Sequence, residues 1–141
     1  MSTLFTQIID GDVPGRFVWR DDVAVAFLTI APQAPGHVLV VPRQEVDRFT
    51  DADDELLAHL MRVAKRIGTA QQEAFSAPRA VLLVLGFEVP HLHVHVLPAH
   101  DEGQVLPENQ RTDVPAAELD DAAARLRAAL RAAGHAEVVD A

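Results

Sequence analysis

Residues 91–98 read HLHVHVLP, with His91, His93 and His95 alternating with Leu92, Val94 and Val96. Three of the chain's 7 histidines thus fall within five residues. Imidazole titrates nearest neutrality, with an unperturbed pKa of about 6.5, so such a row can ligate a metal, move protons or attack phosphorus. Side chains on a strand alternate faces with a period of two, so a strand over 91–97 places the three imidazoles on one face and the apolar residues on the core face. On that geometry the Cα atoms of His91 and His95 stand ~13 Å apart. A Zn–N bond spans only about 2.0–2.1 Å, so one ion would use two of the three histidines plus another ligand. The same row suits nucleophilic catalysis, in which the middle ring attacks a phosphoryl group and the flanking rings orient it or hold oxygens. A metal site, a nucleophile and a histidine-rich surface strand without a role all stay open from the spacing alone.

The elements that would position this row are legible from patterning. LFTQIID, 4–10, reads as a short helical turn ended by Gly11. Residues 16–20 and 23–28 read as a hairpin across Asp21-Asp22. APQAPG, 31–36, is a loop, and HVLVVP, 37–42, is a strand stopped by Pro42. Thr50-Asp51-Ala52-Asp53 resembles a capping box with Asp in place of Glu. Leu56, Leu57, Leu60, Met61, Ala64 and Ile67 then recur at helical spacing, which predicts a helix from about 51 to 75. AVLLVL, 80–85, reads as a buried strand broken by Gly86, and 91–97 as a strand closed by Pro98. Residues 99–114 form a polar loop. The stretch 116–133 is an Ala-rich amphipathic helix with Leu119, Ala123, Leu126 and Leu130 on one face and Gly134 as its stop. Strands in groups, with one main helix and a C-terminal helix, indicate an α+β fold with an antiparallel sheet of about five strands. No internal repeat is present.

Bulk properties narrow the chemistry. A chain of 141 residues is expected to form one domain, and 49% hydrophobic with 23% charged residues suits a soluble globular protein. No run of 18 apolar residues indicates a membrane span, and MSTLFTQIIDGD lacks the features of a signal peptide. Without cysteine there is no disulfide or thiolate metal site, which is compatible with a reducing cytoplasm. A net charge of −9 argues against nucleic acid or an anionic membrane as partner. It leaves room for a small phosphate-bearing ligand held by backbone N–H groups and imidazoles.

The row His91-Leu92-His93-Val94-His95-Val96-Leu97 resembles the signature of the histidine triad (HIT) superfamily. LFTQIIDGDVP, VAVAFLTIAPQAPGHVLVVPR and ELLAHLMRVAKRIG resemble the family's opening segment, central strand-loop-strand and helix. The resemblance spans about 4–98 of a single 1–141 HIT domain, leaving 99–141 as a C-terminal extension. The nearest branch is the Hint-like nucleoside phosphoramidases, in a short-loop version, GFEVPHLHVHVLP. It implies a HIT-like fold and a hydrolase that cleaves at the α-phosphate of a purine nucleoside phosphoramidate or related conjugate. His93 would be the nucleophile that forms a nucleotidyl-histidine. His91 and His95 would flank it, and His37 would be the family's fourth histidine. Phe27 and Ile30 match positions lining the base and ribose pocket. Thr29 stands where the family carries a ribose-binding Asp, and Glu88, beside Val89 in the substrate-binding set, stands where the branch carries a serine. The family's phosphate-binding Asn and Gly have no clear counterpart between Leu85 and Pro90.

No cofactor or catalytic metal is implied. Thr3, Thr6 and Glu45 stand where many relatives carry ligands to a structural zinc, so no zinc is expected here. His59, His100 and His135 receive no role, the last two being expected to face solvent. The resemblance also implies a cytoplasmic homodimer. Its rivals are a dinucleoside polyphosphate hydrolase or nucleotidyl transferase of the same superfamily, a nucleotide-binding protein of low turnover, and a metal-binding protein using His37 with two triad histidines.

Overall fold

The computed structural model describes residues 2–140. Helix α1, Leu4–Ile9, starts at Thr3, whose Oγ1 accepts the Thr6 N–H at 3.1 Å as an N-cap. Strands β1, Phe17–Arg20, and β2, Ala24–Leu28, form an antiparallel hairpin. Asp21 shapes its turn by accepting the N–H groups of Val23 and Ala24, each at 2.7 Å. Then come β3, Val38–Pro42, helix α2, Asp54–Phe75, strands β4, Arg79–Val84, and β5, Val94–Ala99, and helix α3, Ala116–Ala132. The five strands form one sheet in the order β1-β2-β3-β5-β4, with every neighbouring pair antiparallel. The fold is α+β, as the strand grouping indicates.

Period-two alternation sorts the central strands onto two cores. Ala24, Ala26, Leu28, Val38, Val40, Leu92, Val94 and Val96 pack with α2 and α3. Val25, Phe27, Leu39 and Val41 face the other way and pack with Phe5, Ile8 and Phe17. Helix α2 turns Leu56, Leu60, Val63, Ala64 and Ile67 inward, while Met61, one step off that stripe, is exposed. Helix α3 buries Leu119, Ala123, Leu126 and Leu130, together with Ala122. Gly134 follows the helix with φ +87°, the left-handed geometry that stops it.

Four expectations change. First, α2 begins at Asp54, because Asp53 rather than Thr50 is its cap: the Asp53 Oδ1 accepts the Leu56 N–H at 2.8 Å. Residues 49–51 form a separate 3₁₀ turn tied by Arg48 to Asp51 at 2.9 Å. Second, β4 is not buried. It closes one side of the sheet with only β5 beside it, and Leu82 is 39% and Val84 37% exposed. Third, β5 starts at Val94, not His91, and runs through Pro98 to Ala99 instead of closing at Pro98. Pro42 has no N–H to extend the ladder, its carbonyl is taken by the His91 ring, and β3–β5 pairing ends at Val40 opposite Val94. Fourth, the polar loop contains short 3₁₀ turns at Glu102–Val105 and Pro107–Asn109.

Two glycines separate backbone strain from crowding. Gly36 has φ +84° and leaves no room for a Cβ, which would stand 2.3 Å from the Phe75 ring. Gly134 has the same hand of φ but open space around it. Gly36→Ala is expected to cost about 2–5 kcal/mol, the sum of left-handed strain and overpacking. Gly134→Ala should cost only about 1–2 kcal/mol. Urea unfolding of both variants checks this, and equal losses would show that Phe75 does not confine Gly36.

Candidate active site

The site lies where α1 covers the β3–β5 seam. Leu92, Val94 and Val96 are anchored in the helix-side core, so His91, His93 and His95 turn towards α1 even though the chain bends at His91 before β5 begins. The alternation of faces expected from the sequence therefore survives without a continuous strand. His91, His93 and His37 are buried, and His95 is half-buried. The His95 ring lies 5.0 Å from that of His93 and 5.2 Å from that of His37, centroid to centroid. Phe5, from α1, meets His93 edge-on at 4.7 Å and His91 at 5.7 Å.

The partners of these rings fix their protons. The His93 Nδ1 lies 2.7 Å from the His91 carbonyl, which can only accept, so Nδ1 carries the hydrogen and Nε2 keeps a free lone pair. The Gln33 N–H donates to the His37 Nδ1 at 3.1 Å, so neutral His37 is protonated at Nε2. That Nε2–H donates to the His95 Nδ1 at 3.0 Å, which leaves the His95 hydrogen on its own Nε2. His91 donates from Nε2 to the Pro42 carbonyl at 2.8 Å, and its Nδ1 accepts the Thr3 hydroxyl at 2.6 Å. The cluster thus presents one bare imidazole nitrogen, on His93, beside a ring whose free nitrogen donates, on His95.

The other expected residues surround this cluster unevenly. Phe27 is buried between Phe5 and Phe17, at 5.7 and 5.6 Å. Thr29 is half-buried; its N–H donates to the His37 carbonyl at 3.2 Å and its Oγ1 accepts the Ala31 N–H at 3.2 Å. Ile30 is 73% exposed. Glu88 is exposed, and Val89 packs partly buried on the α1-side core. A small cavity of about 60 Å³ adjoins Thr29 and His37 and is bordered by Arg111 and Glu118 of the C-terminal segment. A larger one, about 570 Å³, lies between α2 and α3 and touches no triad residue.

Of the remaining histidines, His100 faces solvent, while His135 is half-buried with its ring 5.5 Å from Trp19, a correction to its expected exposure. His59 pairs with Asp21 at 2.8 Å. Phe5, Gln33, Arg111 and the Thr3 contact to His91 were not legible as site features. Phe5, Arg111 and Thr3 reach the site from chain segments far apart in sequence, and the Gln33 N–H meets His37 only through the turn of the 31–36 loop.

The HIT domain family pattern matches residues 10–102. The chain is 35% identical over 108 residues to an uncharacterized HIT-like protein of Methanocaldococcus jannaschii, covering 73% of this chain and 84% of that one. Its fold superposes on a zinc-bound histidine triad family protein from Mycobacterium smegmatis with TM-score 0.81 and 29% identity, covering 94% of this chain and 96% of that one. It also superposes on a hypothetical histidine triad nucleotide-binding protein from Sulfolobus tokodaii with TM-score 0.80 and 26% identity, covering 91% of each.

Burial favours the neutral form of His37, His93 and His95. It pushes His37 down to about 3, helped by the neighbouring His95 ring. It pushes His95 down to about 4, helped by His93. His93 is also lowered, first by burial, against the opposing pull of its bond to the His91 carbonyl and of the Glu88 charge. Each folded-state value lies below that of the unfolded chain, so below about pH 6.5 the unfolded state binds more protons. The stability these rings contribute should be complete above that pH and fall on acidification through the window down to about pH 3, the folded-state value of His37, with His95 protonating at about 4. His37→Asn should be less stable at neutral pH but lose less on acidification, and urea midpoints at a series of pH values read the difference. Parallel profiles for the two proteins would contradict buried, neutral His37.

Proposed function

This chain belongs to the HIT domain family, and from that premise we propose that it is a nucleotide-binding hydrolase acting through a nucleotidyl-histidine. Its substrate is a purine nucleoside phosphoramidate or a related conjugate, cleaved at the α-phosphate. The observation that carries this reading is the unprotonated His93 Nε2, freed by the bond from Nδ1 to the His91 carbonyl. In the first step that lone pair forms a bond to the α-phosphorus while the bond to the leaving nitrogen breaks. The His91 carbonyl takes up part of the positive charge that develops on the His93 ring, and the His95 Nε2–H donates to a phosphoryl oxygen. In the second step water attacks phosphorus and the Nε2–P bond breaks. The departing amine takes a proton from solvent in the first step and the attacking water returns one to solvent in the second, so over both steps the water oxygen ends on phosphorus and protons balance. Phe27, Thr29, Ile30, Glu88 and Val89 are assigned to substrate binding, with Thr29 able to offer one hydroxyl bond to a ribose. The similar Sulfolobus tokodaii protein, described as nucleotide-binding, supports the ligand class.

A reading of low turnover has one observation in its favour. The exposed Glu88 acts on His93 through its charge, so it places a negative group near the path of an anionic substrate. That protein would bind AMP or GMP and release nothing, whereas a polyphosphate hydrolase or a transferase would favour other members of a substrate panel. For assembly, β4 offers an unpaired, apolar strand edge, the kind of edge that pairs with another chain. We assign it to a cytoplasmic homodimer in which two copies join along this edge.

Two measurements follow. With purine nucleoside phosphoramidates, wild-type protein should turn over and show a nucleotidyl adduct by intact mass. His93→Ala should show no adduct and at least about a thousandfold lower kcat. Turnover that survives this substitution would remove the covalent mechanism. Sedimentation should find a dimer that Leu82→Lys shifts to monomer, and a monomeric wild type would remove the assembly.

A further inference from the structure

His91 is the triad member with no free nitrogen, and the residues that hold it form a network of their own. Its Nε2–H is used by the Pro42 carbonyl at 2.8 Å. Its Nδ1 meets the Thr3 Oγ1 at 2.6 Å. The Thr3 Oγ1 accepts the Thr6 N–H at 3.1 Å. The Thr6 hydroxyl donates to the Glu45 Oε1 at 2.5 Å, and the Thr3 N–H reaches the same oxygen at 3.2 Å. One assignment of hydrogens satisfies all of these contacts. Glu45 accepts only, so Thr6 spends its single hydrogen there. The Nε2 of His91 must donate to a carbonyl, so its Nδ1 must accept and Thr3 must donate to it. The 3.2 Å approach of the two threonine hydroxyls then carries no hydrogen.

The family resemblance places Thr3, Thr6 and Glu45 where zinc-bearing relatives carry ligands, and a similar solved protein, from Mycobacterium smegmatis, is zinc-bound. The residues present do not fit zinc. Zinc takes thiolate, imidazole or carboxylate, and two of the four groups here are neutral hydroxyls. Both nitrogens of His91 are already engaged, and no group of three or more His, Cys, Asp or Glu among the described residues is arranged to hold a metal.

We propose that Thr3, Thr6 and Glu45 form a hydrogen-bonded clamp, working without metal, that fixes His91 as its Nε2–H tautomer and so holds the carbonyl that orients His93. They are positioning residues: none touches the nucleophile, and their effect passes through His91. The catalytic half of this inference rests on the proposed hydrolase, whereas the tautomer half does not. Thr3 has two separable jobs, capping α1 as an acceptor and holding His91 as a donor. The Glu45 carboxyl, lowered first by the Thr6 hydroxyl and then by the Thr3 amide, stays an acceptor at neutral pH.

The test uses the ¹⁵N-labelled full chain and long-range ¹H–¹⁵N spectra of the imidazoles at pH 7. Wild type and Thr3→Ser should show His91 protonated at Nε2 only. Thr3→Asp keeps an acceptor for the cap but cannot donate, so His91 should gain a proton on Nδ1. With substrate, Thr3→Asp should lower kcat about tenfold to a hundredfold, with KM little changed and Thr3→Ser near wild type. A wild-type His91 protonated at Nδ1 overturns the clamp, as does a stoichiometric response of its resonances to added Zn²⁺. A Thr3→Asp variant with altered His91 but unaltered kcat overturns the link to His93 while leaving the hydrolase standing. If wild type shows no turnover, the functional reading and the link fail together, and the spectrum still decides the tautomer.

Discussion

The 2.7 Å bond from the His93 Nδ1 to the His91 carbonyl decides which nitrogen of the central ring is free. A ring with its hydrogen on Nε2 would present a donor where a nucleophile is needed. The bond spans two residues, so it needs the chain at His91 to bend away from a regular ladder. That bend follows from Pro42, which cannot extend the β3–β5 pairing, and from the His91 ring, which occupies the Pro42 carbonyl. The local break in the strand is therefore part of the chemistry and not a flaw in the sheet.

The second pair of rings depends on the opposite layer. Gln71, buried in α2, donates from Nε2 to the carbonyls of Gly36 and Val96 at 2.8 and 2.7 Å. Those residues adjoin His37 and His95, so one amide ties together the two strands that carry the His37–His95 contact. Phe75, one turn further along α2, packs on Gly36. Packing on the helix side thus sets ring geometry on the α1 side. Exclusion of water there keeps the imidazoles neutral, because burial disfavours the charged form of each ring.

Local patterns made much of this architecture legible. The alternation of Leu92, Val94 and Val96 placed the histidines on one side, and the stripe from Leu56 to Ile67 placed α2. Proline marked the strand end at Pro42 but not at Pro98, which β5 runs through to Ala99. What the sequence hid was context. AVLLVL carries the composition of a buried strand, yet β4 is an edge, because composition reports affinity for apolar surroundings and not which neighbour supplies them. The cap at Asp53 was one acidic residue among several. The contacts of Thr3 and Phe5 join positions up to 88 residues apart, as in the Thr3–His91 bond, and no period or spacing encodes them.

The central claim is a distribution of protons over neutral rings, and a neutron structure at pH 7 would see it directly. It should show deuterium on the Nδ1 of His93 and on the Nε2 of His37 and of His95, with the other nitrogen of each ring bare. Deuterium on the Nε2 of His93, or on both nitrogens of His37, would contradict the account.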